Sequence, residues 1–176
     1  MTTIFANAFW LFLGIVAGAF VQHFLNFLTT RRQASNALRV MQVEITYNLD
    51  EVDAFLRHVE WLKGRIAAGQ IEEDKIFLPM HKFDYSTIGP LSNSGHFHML
   101  LGADNLRKYL EFLYFFQSEN ASFLTQRLRL EHGVNNSMAY LDWIAEEAQS
   151  HYSKMRPLKD AKLTRFTKAL VLGQEP

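Results

Sequence analysis

Two different hydrophobic patterns divide this chain. Ile4 to Leu28 is apolar or small apart from a few uncharged polar residues, and the 18 basic and 18 acidic residues all lie beyond it. Those 25 residues, as a helix rising about 1.5 Å each, reach roughly 37 Å, enough to cross a hydrocarbon core with some tilt. A cleaved signal peptide would need a basic leader, a shorter run and a small-residue cleavage site. Met1-Thr2-Thr3 has no basic residue, and the run ends in Thr29-Thr30-Arg31-Arg32-Gln33. The pattern predicts an uncleaved transmembrane helix over 4–28. Arg31, Arg32 and Arg39 follow it and nothing basic precedes it, so the positive-inside rule predicts the N-terminus outside and the body in the cytoplasm.

On a helical projection, Asn7, Gly14, Gly18 and Gln22 share one face of this span. Gly14-x-x-x-Gly18 lets two backbones approach closely, and the polar side chains can bond across the contact. This predicts an assembly face. The competing reading is a chance small-residue pair, with Gln22, His23 and Asn26 at headgroup level, where polarity costs little.

Beyond the span the period changes. Leu38, Ile45, Val52, Val59 and Ile66 alternate with Met41, Asn48, Phe55 and Leu62 in heptad spacing, with Leu49 and Leu56 widening the stripe. A wide stripe suits a core helix, and part of it could line an oligomer seam. Asn48 is the one polar member, and its expected role is to fix register. Residues 69–82 read as a loop. Gly89-Pro90 and Ser92-Asn93-Ser94-Gly95 break 83–101 into short turns. Asp104 is expected to cap a helix running to about Glu131, with Asn120 on its apolar face; Asn136 or Ser137 caps another to about Ser153; Pro157 opens a last one. The expected fold is all-α: one N-terminal transmembrane helix, then a cytosolic bundle of four to five helices over 33–172.

Composition narrows the chemistry. Basic and acidic residues balance, which argues against a general nucleic-acid binder. The chain has no cysteine, so disulfide and thiolate chemistry are excluded. Nucleophile elbows, zinc-protease helices, phosphate loops and dinucleotide fingerprints are missing, and no enzymatic activity or cofactor is expected. His96-x-His98 lacks a third metal ligand and reads as a surface pair, so no metal is expected. Glu44, Asp50, Glu51 and Asp53 read as a solvated acidic face.

Two segments could hold an anion. In Ser92-Asn93-Ser94-Gly95-His96, short polar side chains beside a glycine can present N–H groups to phosphate, although the same pattern suits a helix C-cap. Near the C-terminus, Lys154, Arg156, Lys159, Lys162, Arg165 and Lys168 meet one acid, Asp160. Lys159, Lys162 and Arg165 recur at intervals of three and fall near one side. They suit a polyphosphate ligand, the anionic inner leaflet, or an ordinary solvated face.

The layout resembles small bacterial membrane-anchored helical proteins of phage defence. The likeness rests on the span and its arginines, on Glu44-Ile45-Thr46-Tyr47-Asn48-Leu49, on the Ser-Gly turn, and on Tyr114 to Asn120. In architecture the chain is similar to the CRISPR type III-associated membrane effector gated by cyclic oligoadenylate. That resemblance implies a homotetramer in a bacterial inner membrane, whose cytosolic domain binds cyclic tetra-adenylate and whose spans perturb the bilayer. On that reading Ser92, Asn93, Ser94, His96, Lys159, Lys162 and Arg165 are the candidate ligand-binding residues. The alternative is a passive membrane-anchored protein-interaction module without ligand gating.

Overall fold

The computed structural model describes residues 2–71, 75–80, 82–93, 96–130 and 134–160. These residues form five helices and no strand: α1 (Thr2–Ala67), α2 (Ile88–Asn93), α3 (His96–Phe116), α4 (Ser118–Leu130) and α5 (Val134–Lys159). The all-α architecture read from the sequence is the one observed.

The dominant element is α1. Its 66 residues extend about 99 Å at 1.5 Å per residue. The helix does not stop between the apolar segment and the body. No proline precedes Pro79, and Thr29, at the junction, turns its hydroxyl back to the Leu25 carbonyl at 2.9 Å without breaking the helix. α1 ends at a Schellman cap: Gly69, at φ 64°, places its N–H 3.0 Å from the Ile66 carbonyl, and Gln70 N–H reaches the Arg65 carbonyl at 2.9 Å.

Along this one helix the environment switches once. Every described side chain from Ala8 to Asn26 is exposed, including Phe9, Trp10, Phe12 and Phe20. Burial begins at Ala34 and continues through Leu38, Met41, Ile45, Leu49, Val52, Phe55, Val59 and Leu62. The heptad stripe is thus consumed by the chain's own core. It is not left over for an oligomer seam.

Two helices flank that stripe. α3 runs parallel to α1, because Tyr109 meets Glu44 and, two turns on, Phe116 meets Phe55 at 5.7 Å. α5 runs antiparallel: His151 packs on Phe115 at this same level, and Asp142 pairs with Lys63 at 2.8 Å near the end of α1. Phe83, Phe112 and Phe116 fill the space between, with Phe83 stacked on Phe116 at 4.3 Å. Such ring pairs add about 0.5–1.5 kcal/mol each beyond their burial.

Two local readings are corrected and one is refined. The helix expected from Asp104 to Glu131 is divided at Gln117. Two carbonyls just before the break are taken by side chains: Asn120 donates to Phe115 O at 2.7 Å, and Tyr85 donates to Phe116 O at 2.6 Å. α3 is two helical pieces joined at Gly102, whose φ of 70° favours glycine, so a helix begins beside Asp104 as expected and a short piece from His96 precedes it. Pro157 lies inside the last turns of α5, where buried Met155 and Leu158 hold the helix on the core.

Candidate functional site

The most organised polar site in the bundle is centred on Glu44, which was expected on a solvated face. Its residue is 2% exposed. One carboxylate oxygen accepts the Thr87 N–H at 2.8 Å and the other accepts the Tyr109 hydroxyl in a short hydrogen bond. One turn later, Asn48 makes a two-way clasp: its amide donates to the Asp84 carbonyl and its oxygen accepts the Asp84 N–H, both at 2.8 Å. Tyr47 donates to the Lys82 carbonyl at 3.0 Å. α1 therefore holds the segment 82–87 by its backbone, which lacks helical partners of its own.

The electrostatics follow from this packing. Burial, reinforced by the Glu44 carboxylate, raises the Tyr109 phenol far above its ordinary value. Burial raises Tyr85 likewise, with the charges of Glu119 and Glu44 adding to it. Both phenols stay neutral donors over the whole physiological range. A carboxylate with two donors and no group ready to leave or attack suits structural locking, not proton transfer.

The expected role of Asn48 in fixing register takes this concrete form. The sequence signal for Glu44 was its step of four from Asn48, which puts both on one side of a core helix.

The predicted ligand residues are not gathered into one site. Ser92 and Asn93 are exposed at the end of α2, and Lys159 is exposed at the end of α5. No hydrogen bond or ion pair joins these three described residues. Ser94, Lys162, Arg165 and Lys168 lie outside the described residues, as does the His96 side chain. Among the described residues no group of three or more His, Asp or Glu could hold a metal ion.

On the span, Gly14, Gly18 and Gln22 are exposed, and a Cβ added at either glycine would meet nothing within 4 Å. The Asn7 side chain lies outside the described residues. α1 is the one candidate membrane-spanning helix near the N-terminus among the described residues; none of its most apolar 18-residue window is buried.

No family model, curated protein or solved structure matches the chain.

Proposed function

We propose that the chain is a single-pass membrane effector, in which a cytosolic helical bundle receives a signal and α1 delivers it to the span within a homo-oligomer. The observation that carries this reading is the continuity of α1. Its first part has the length and exposed apolar surface of a lipid-facing helix, and its second part is the central helix of the bundle. An unbroken helix carries a turn or tilt at one end toward the other, which is the route by which a change in bundle packing reaches the span.

A simple tether needs no such coupling, and a flexible polar linker would serve it. The polar clasp at Glu44 and Asn48 points the same way, since it fixes the rotation of α1 relative to α3 and to 82–87. The flanking arginines orient the bundle to the cytoplasmic side. The signal is a cyclic oligoadenylate, as the family resemblance implies, and the output is perturbation of a bacterial inner membrane by a tetrameric assembly in antiviral defence. No enzymatic step is required.

The test is dye release from phosphatidylethanolamine/phosphatidylglycerol vesicles carrying the full chain. Cyclic tetra-adenylate is expected to trigger release. Unchanged vesicles at saturating bound nucleotide would overturn the effector reading and leave the passive interaction module.

A further inference from the structure

On the cytosolic part of α1, Val40, Val43 and Tyr47 are 53%, 66% and 44% exposed. Each follows a core residue by two positions: Leu38, Met41 and Ile45. Two residues turn a helix by about 200°, so these side chains form an apolar stripe on the side of α1 away from the core. Tyr47 is held there, because its hydroxyl donates to the Lys82 carbonyl at 3.0 Å. Among the described residues nothing covers this stripe.

The stripe is in line with the glycine face of the span. Gly14, Leu25, Asn36 and Tyr47 recur every 11 residues, and so do Gly18, Thr29 and Val40. Eleven residues make about three turns, so on an unbroken helix these positions stay on one side. All of them are exposed. The turned-back hydroxyl of Thr29 leaves no unpaired donor in the stripe at the junction.

Lipid does not reach the upper half. Val40 lies about 18 Å along the helix beyond Leu28, and Tyr47 about 28 Å, whereas the headgroup layer is about 5–8 Å deep. A second copy of this chain fits. Copies inserted in the same direction are parallel, so each stripe residue faces its own equivalent. Between Asn36 and Tyr47 the stripe carries no charge, and valine on valine packs without conflict. The Asn36 amide is self-complementary, being donor and acceptor at once. One turn past Tyr47, Asp50 and Glu51 would meet like charges, which ends the contact. The bundle core lies on the far side of α1 and leaves the approach open.

We propose that Val40, Val43 and Tyr47 are the cytosolic half of a parallel helix–helix seam with a second copy, continuing the Gly14–Gly18 contact out of the membrane. The inference deepens the effector reading and rests on it for the insertion direction of α1. It supplies the oligomer seam that the buried heptad stripe does not. Through Tyr47 the seam touches the segment that Glu44 and Asn48 clasp.

The experiment places single cysteines at Val40 or Val43 in the full chain, in phosphatidylethanolamine/phosphatidylglycerol vesicles. The native chain has no cysteine, so every disulfide joins two copies. Oxidation with copper phenanthroline in air is expected to cross-link both variants. Ser153→Cys, exposed on α5, is expected to stay monomeric on denaturing gels. By native mass spectrometry from detergent, Val43→Glu weakens association about tenfold or more, since it removes one buried valine and opposes like charges. Val43→Leu retains assembly, and circular dichroism of both variants matches the native helix content.

The seam is overturned if Ser153→Cys cross-links as fully as Val43→Cys. It is overturned equally if neither valine position cross-links, or if Val43→Glu assembles like the native chain. Cross-linking at Val43 without nucleotide-triggered dye release leaves the seam standing and removes the effector reading. Dye release from a chain that does not cross-link at Val40 or Val43 does the reverse.

Discussion

Glu44 of α1 accepts the hydroxyl of Tyr109 of α3, and both residues are buried. With Phe55 on Phe116, this contact fixes α1 against the helix that runs parallel to it. Removing the hydroxyl with Tyr109→Phe leaves a buried carboxylate one donor short. The expected cost is about 1.5–3 kcal/mol, the range for hydrogen bonds to charged groups. For a chain of this size that lowers the melting temperature by about 3–12 °C, read by circular dichroism of the full chain in detergent. Glu44→Leu/Tyr109→Phe should cost less than the sum of the two single changes, since neither then strands the other. Strict additivity would mean that the pair does not interact.

His151 gives the bundle a pH dependence of calculable sign. Burial, with help from Lys154, lowers its pKa below the ordinary value near 6.5, while Glu147 and Glu111 oppose the shift weakly. Its ring packs on Phe115 at 5.0 Å, and its Nδ1 has no hydrogen-bond partner among the described residues. Protonation is therefore easier in the unfolded chain. The stability tied to neutral His151 is complete above pH 6.5 and is lost as pH falls from there toward the lowered folded value. Melting between pH 5 and 7.5 should show a smaller slope for His151→Gln than for the native chain. Identical slopes would mean that His151 titrates alike in both states.

The two glycines of the span separate assembly from anchoring. A Cβ at Gly14 or Gly18 touches nothing in the same chain, so Gly14→Leu/Gly18→Leu has no reason to disturb the fold. It should keep membrane insertion yet abolish oligomer formation and vesicle leakage. The absence of native cysteine permits a direct map: single cysteines placed from Leu11 to Asn26 are oxidised in the membrane. Disulfide yield is expected to peak near positions 14, 18 and 22 and to fall between them. A flat profile, or unimpaired leakage from the double leucine variant, would return the span to the status of a tether.

Much of the fold was readable because burial follows period. The steps from Leu38 to Leu62 marked the buried face of α1, and every one of those positions is in the core or next to it. The acid at position 44 was misread because its partners, Thr87 and Tyr109, lie 43 and 65 residues away and contribute no local pattern. The division at Gln117 was hidden for the same reason, since the Tyr85 hydroxyl that takes the Phe116 carbonyl arrives from another segment. The junction at 29–33 looked like a boundary because charge appears there abruptly. Charge marks where lipid ends, not where a helix ends.

Rigid coupling through α1 is tested most directly by a distance. Spin labels at Val16→Cys in the span and Asp50→Cys in the bundle, both exposed positions, are separated by 34 residues of α1. Measured by double electron–electron resonance in nanodiscs, with labelled chain diluted into unlabelled chain, an unbroken helix gives one narrow distribution centred at about 51 Å. A broad distribution, or a mean many ångströms shorter, would place a hinge between span and bundle and contradict transmission along α1.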